Sequence, residues 1–299
     1  MKKACCNSCI EKYTFYKTIL LAGFIILFLP CHLTGQWNSF VTNHEKFSFG
    51  RGAQTWQIKV FGRNRIFCGN KNGLLEYNGN QWQLYPVING SDVRSVHISE
   101  IQGRVYVGGE SEFGFFEPGE DGNLIYHRTS EEFTTTHAVY GGYRGVYEAD
   151  HILYYVSDWW IVKEVDEQFT LIESDAKIDC SGMLDGVLYV GTEEGIKMLA
   201  GNHLLPVPGA DVLKEKNIRA IVPYREGLLV ATAFQGLYQL IENELFPLVT
   251  GKEAFMAENE IFSLAVSDSR IAVGTIHKGL LLLNDQDWSC QYYNEYNGL

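Results

Sequence analysis

The 299-residue sequence predicts an all-β propeller built of four-stranded blades. Three observations carry that expectation. One pattern, an apolar triplet, a small residue, a polar loop, a second apolar run and a turn, recurs six times. Anchored on Gly69, Gly108, Val156, Gly191, Ala231 and Gly274, its steps are 39, 48, 35, 40 and 43 residues, a period typical of solenoids and propellers. Each copy also divides into short runs rich in Val, Ile, Tyr and Phe, separated by Gly, Asp, Asn and Glu, which read as strands.

Residues 1–35 stand apart from the repeats. Lys2, Lys3, Lys12 and Lys17 precede TILLAGFIILFLP, and HLTG then leads into polar sequence. This is the pattern of a secretory signal, with an uncleaved anchor helix as the alternative; the apolar run is short against the roughly 20 residues that span a bilayer. Either reading exports the remaining chain. Cys31 is a poor lipoprotein site, because Phe28 and Pro30 occupy the positions where Leu and a small residue are expected.

Residues 36–299 are expected to form one propeller domain, with repeats at about 54–87, 92–129, 138–174, 177–209, 217–250 and 259–296. No Pro-rich or Gly/Ser-rich linker divides them. The second copy shows the four runs plainly: DVRSVHIS, GRVYVGG, FGFFEP and NLIYHRT. They are too short and too rich in β-branched and aromatic residues for helices, so only the leader is expected to be helical. Gly73, Gly195, Gly236 and Gly279 recur just before the third run, where a tight loop requires positive φ or close backbone approach. Asn78-Gly79 marks a hairpin between the third and fourth.

The chain has 24 basic and 36 acidic residues, and without residues 1–35 it has 20 and 35. Such a surface repels phosphate backbones, which excludes nucleic acid as a partner of this chain. Cys68, Cys180 and Cys290 are odd in number and far apart, so no disulfide framework is expected; Cys68, inside an apolar triplet, is expected to be buried.

GLLEYNGNQW, the VGT-x-x-G-I pattern at Val190 to Ile196 with its one-residue-longer form at Val273 to Leu280, and the closing EYNGL resemble two-component regulator propeller repeats. The resemblance covers residues 54–299. It implies the extracytoplasmic sensor of a hybrid two-component system or related membrane regulator, periplasmic in location. In that family a triple-tyrosine domain, a transmembrane helix and a kinase or helix-turn-helix output follow the propeller. Those parts have no counterpart in this sequence, and the third repeat replaces VGT-x-x-G with YYVSDWW. The resemblance therefore implies an amino-terminal portion of a seven-bladed or double propeller, with membrane contact only through a further carboxy-terminal segment or an uncleaved leader. The implied ligand is a small molecule or oligosaccharide, of the kind released by polysaccharide breakdown.

Aligning the first strands puts Trp56, Arg94, Asp179, Arg219 and Phe262 at equivalent positions facing the axial mouth, while the third repeat, around HAVYGGYRG, does not align uniquely. Cations, an acid and aromatic faces suit a polar ligand carrying rings. The alternative is a crowded channel in which they merely pack and pair. Loops between second and third strands add Glu110, Asp158, Trp159, Trp160, Glu193, Phe234 and His277, with Asn70, Glu112, Glu194, Gln235 and Lys278 beside them. Trp159 and Trp160 point to opposite faces if extended, so one can stack on a sugar while the other packs.

No HExxH, paired CxxC, G-x-S-x-G or Walker pattern is present, and no cofactor or metal is expected. Glu193 with Glu194, or Glu110 with Glu112, could be forced into an acid-base pair, but solvated loop acids are the simpler reading. The expectation is a sensor without enzyme activity of its own. The rivals are an exported lyase or glycosidase and a protein-binding propeller. A wheel ending on a sixth repeat is expected either to lack a seventh blade or to close through residues 37–53, and an open wheel makes a homodimer one expected state.

Overall fold

The computed structural model describes residues 54–88, 90–134 and 141–296. The leader and residues 37–53, invoked above for export and closure, lie outside the described residues.

Six antiparallel four-stranded sheets follow one another, each with its strands in chain order. Blade 1 comprises Thr55–Phe61, Arg65–Asn70, Gly73–Tyr77 and Trp82–Tyr85. Blade 2 is Val93–Ser99, Arg104–Gly109, Phe113–Pro118 and Leu124–Arg128. Blade 3 is Gly145–Ala149, Ile152–Val156, Trp160–Val165 and Gln168–Glu173. Blade 4 is Ile178–Leu184, Val187–Thr192, Gly195–Ala200 and His203–Pro206. Blade 5 is Ile218–Tyr224, Gly227–Thr232, Leu237–Ile241 and Glu244–Pro247. Blade 6 is Ile261–Ser267, Arg270–Thr275, Gly279–Asn284 and Cys290–Tyr293. First strands pack on one another from blade to blade, which places them at the axis. The chain is a six-bladed β-propeller.

The expectation that only the leader is helical needs correction. Ser130–Thr134 and Glu253–Asn259 are short helices, and Ala210–Leu213 is a 3₁₀ turn. The two helices fall between blades 2 and 3 and between blades 5 and 6, so they account for the two longest repeat steps. Glu253 carries the start of the second: its Oε1 accepts from the Gly251 N–H at 3.0 Å, and it also receives the Thr250 amide at 2.5 Å. Both donors lie in the turn before the helix, whose cap residue Lys252 makes no side-chain cap, so this carboxylate ties that turn to the first helical residue.

The recurrent Thr-to-Gly loop, T-x-x-G in blade 4 and T-x-x-x-G in blades 5 and 6, has a direct physical use. Thr192, Thr232 and Thr275 donate their hydroxyls to the carbonyls of Gly195, Gly236 and Gly279 at 3.1, 3.0 and 2.9 Å. The same oxygens accept the amides of Glu194, Gln235 and Lys278 at 3.2, 3.1 and 3.1 Å. A hydroxyl that bonds its own loop fixes the turn between second and third strands. In the divergent third repeat Ser157 takes over, donating to the Trp160 carbonyl at 3.1 Å and accepting the Trp160 amide at 3.2 Å. YYVSDWW thus keeps the turn chemistry with one methyl fewer.

Among the described residues the core forms five apolar clusters, one at each junction between consecutive blades. Polar groups reinforce the junction of blades 2 and 3, where His97 Nε2 lies 3.3 Å from Glu148 Oε2 and Gln102 donates to Glu148 Oε1 at 3.1 Å. Burial holds the His97 imidazole below its ordinary 6.5, against the opposing pull of Glu148. The unfolded chain therefore binds a proton at His97 first as the pH falls, and the folded state loses stability below pH 6.5. The melting temperature is expected to fall more steeply from pH 7 towards 5 in the parent chain than in His97→Gln, as read by calorimetry; parallel profiles would show that His97 is not the titrating group.

Candidate axial site

A β-bulge builds the axial ring. In five blades the register between first and second strands shifts by one residue, at Thr55/Gln57, Val93/Ser95, Ile178/Cys180, Ile218/Ala220 and Ile261/Ser263. The unpaired residues are Trp56, Arg94, Asp179, Arg219 and Phe262, the five equivalent positions found by alignment. An extra residue bends the strand and re-aims its side chain, so each blade offers one side chain at the same end of the wheel. Blade 3 supplies a sixth that alignment misses. The Arg144 amide donates to the Val156 carbonyl at 2.8 Å and Gly145 pairs with Val156, which puts Arg144 in the equivalent step.

Trp56, Arg144, Asp179, Arg219 and Phe262 line one cavity of about 290 Å³, together with Tyr147 and Cys180. Arg94 lies behind Trp56, its Cζ 5.0 Å from the indole centroid. Each cation meets an acid: Arg94 with Glu110 at 2.9 Å and Asp92 at 3.8 Å, Arg144 with Asp158 at 3.1 Å, and Arg219 with Glu260 at 2.6 Å. Lys177 stands 3.6 Å from Asp179. Four cations thus face five carboxylates, and the ring is close to charge-compensated. The buried Nε–H groups of Arg94 and Arg219 nevertheless have no hydrogen-bond partner. Deeper in, burial pushes the Tyr147 hydroxyl up to about 12. Burial, helped by Asp179, also pushes the Cys180 thiol up to about 12, so both stay neutral at ordinary pH.

The loop residues divide. Glu110 and Asp158 join the axial set as partners of Arg94 and Arg144. Trp160 packs against the cluster between blades 2 and 3, whereas Trp159 is 46% exposed, so the pair separates into one packing and one open ring. Phe234 is 43% exposed and His277 is exposed, on the loops of blades 5 and 6. Glu193 lines a separate outer hollow with Lys197 and Lys214, and its carbonyl accepts the Glu215 amide at 2.9 Å. Asp158 and Ala233 do the same for Ile178 and Ile261 of the following blade at 2.7 and 2.8 Å, so these loops also latch one blade to the next. Both carboxylate pairs are otherwise engaged. Glu112 is buried beside Ser91, Tyr126 and Arg128, and Glu194 pairs with Lys197 at 2.7 Å.

Among the described residues no group of three or more His, Cys, Asp or Glu could hold one metal ion, and no helix is long and apolar enough to cross a membrane. Cys68 is buried, and burial pushes its thiol up to about 11.

No family model matches the chain, and no curated protein does. Solved structures do. The extracellular domain of BT4673 from B. thetaiotaomicron, described as a proposed one component system, is 17% identical over 82% of this chain and 34% of that one, with a TM-score of 0.61. A second structure of that domain, described as a proposed hybrid two component system, is 15% identical over 81% and 33%, with a TM-score of 0.60. The chain thus spans about a third of those two. YCF48 bound to D1 peptide is 11% identical over 80% of each chain, with a TM-score of 0.60. At these identities the likeness is one of fold.

Proposed function

We propose that this propeller is the ligand-sensing domain of an extracytoplasmic signalling protein and takes an uncharged oligosaccharide at the axial ring. The carrying observation is the pairing of every axial cation with a carboxylate beside two open aromatic faces, Trp56 at 37% and Phe262 at 58% exposure. A compensated ring gains little from an anion. It still offers guanidinium donors, carboxylate acceptors and ring faces, which together suit a polyhydroxylated sugar. The signalling context is supported by the repeat motifs and by the fold shared with the BT4673 extracellular domain. Output and membrane attachment would belong to other segments or partners.

A thermal-shift screen against neutral and uronate-bearing glycan fragments tests this reading. The neutral set is expected to give the larger shifts. Arg94→Ala, Arg219→Ala and Trp56→Ala are each expected to weaken binding by about 1–3 kcal/mol, the scale of a charged hydrogen bond or a stacked ring. A wild type that binds while all three variants bind equally well would remove the ring from the site. Turnover of a glycan by the purified chain would favour an exported enzyme instead. The YCF48 complex supplies a second reading, a peptide-binding propeller, which a peptide-array hit abolished by the same variants would favour.

A further inference from the structure

The outer strand of a blade leaves a row of backbone N–H and C=O groups facing away from its sheet, and the blades differ in how that edge is protected. In blades 1, 4 and 5 the outer strand has four residues and runs into or ends on proline, at Pro86, Pro206 and Pro247. In blade 2 it carries His127 and Arg128, and in blade 6 it is again only four residues long. Proline, charge and brevity are the usual means of keeping a sheet edge from pairing. The outer strand of blade 3, Gln168–Glu173, is six residues long and reads QFTLIE, with no proline and no charge before its last residue.

The pairing register decides which of its groups face outward. Gln168 pairs with Val165 across the two-residue turn of Asp166 and Glu167, whose φ values are 47 and 64°. At the other end the Ser174 amide donates to the Trp159 carbonyl at 2.9 Å. Gln168, Thr170 and Ile172 therefore spend their N–H and C=O groups on the neighbouring strand, while Phe169, Leu171 and Glu173 direct theirs away from it. No strand pairs with that row among the described residues. The edge is nevertheless held firmly, because Phe169 and Leu171 pack on the cluster between blades 2 and 3 and Ile172 is buried.

Charge selects the occupant. Asp166 and Glu167 at one end and Glu173 and Asp175 at the other are exposed, and no cation stands in the chain between them. Lys163 lies on the neighbouring strand opposite Thr170, and Asp175 pairs with Lys197 at 2.5 Å. A second copy of this edge, laid antiparallel, would set acid against acid at both ends. A strand ending in cations would be drawn to both.

We infer that the outer edge of blade 3 is a strand-addition site for an extended peptide segment of a partner protein, with Lys or Arg at both ends of the segment. Backbone pairing to Phe169, Leu171 and Glu173 supplies the affinity, and the terminal charges set orientation and register. The site lies on an outer strand, so it stands independently of the axial reading.

The test uses the full chain and a synthetic peptide, Lys-Lys-Thr-Val-Thr-Val-Thr-Val-Lys-Lys, with two counterparts: one with Glu in place of every Lys, and one N-methylated at every central amide. Fluorescence anisotropy is expected to show the Lys-flanked peptide binding at least about tenfold more tightly than either counterpart. Amide-resolved hydrogen exchange is expected to slow at least about tenfold at Phe169, Leu171 and Glu173, with Gln168, Thr170 and Ile172 unchanged. Glu173→Pro removes one outward N–H without breaking a bond to the neighbouring strand, and is expected to weaken the peptide at least about tenfold with little change in melting temperature. Glu173→Gln is expected to weaken it only about two- to threefold. Absence of binding by the Lys-flanked peptide, or equal binding of the N-methylated one, would overturn the inference. So would slowing at the axial strand starts with binding lost in Arg219→Ala, which would assign the peptide to the axial ring, and self-association abolished by Glu173→Pro, which would assign the edge to a second copy. Should Glu173→Pro fail to melt cooperatively, the exchange pattern of the parent chain and the N-methylated peptide decide. None of these readouts involves a glycan, so the edge and the axial site stand or fall separately.

Discussion

Phe113→Ala is expected to remove about 3–5 kcal/mol from the folded state, the range for truncating a buried aromatic side chain. Phe113 is fully buried at the junction of blades 2 and 3. Its ring stacks on Tyr155 at 4.1 Å, meets Tyr143 edge-on at 5.0 Å, and touches Phe133 and Phe169 at 5.9 and 6.0 Å. Four aromatic partners hold each other in place, so the site has little freedom to collapse around a cavity. Tyr143 immediately precedes Arg144, and the damage should therefore reach the axial ring. Urea denaturation of Phe113→Ala and Phe113→Leu measures the effect. A loss below about 1 kcal/mol for alanine would show that the cluster repacks.

The second large effect separates three glycines of one motif. Gly73, Gly195 and Gly236 all have positive φ, of 135, 110 and 82°. A Cβ at Gly73 would lie 2.2 Å from the Tyr85 carbonyl oxygen, and one at Gly195 would lie 2.8 Å from that of Ala210. At Gly236 the nearest atom is the Met256 Cε at 3.7 Å, the end of a flexible side chain. Alanine at Gly236 therefore meets only the backbone preference, about 1–2 kcal/mol. At Gly73 it must also push two strands apart, which adds about 1–3 kcal/mol. The expected order of destabilisation is Gly73, then Gly195, then Gly236. Equal losses by chemical denaturation would mean that backbone conformation alone governs the motif.

These glycines show what the sequence makes legible. A repeat of about 40 residues forces the same loop six times, so its period, strands and turn glycines stand out without any tertiary information. The bulged axial positions were readable for the same reason, since aligning first strands aligns the bulges. Arg144 was not. GGYRG carries no apolar anchor before the strand, and the longest repeat step, with its short helix, separates it from blade 2. A search for the Val-Tyr pair at Val146 and Tyr147 opposite Tyr154 and Tyr155 could have placed it. Glu110 and Asp158 were singled out as loop residues, yet their pairing with the axial arginines arises across a loop and a strand start. Glu260 and Asp92 were missed, although each lies two residues before a bulged position.

Hydrogen–deuterium exchange with and without the best-binding neutral glycan tests the axial assignment most directly. Slowed exchange is expected at the starts of the inner strands, residues 55–57, 93–95, 144–145, 179–180, 218–220 and 261–263, and on the loops carrying Glu110 and Asp158. Slowing confined to the outer strands or to the hollow lined by Glu193 and Lys214, with these strand starts unchanged, would contradict it.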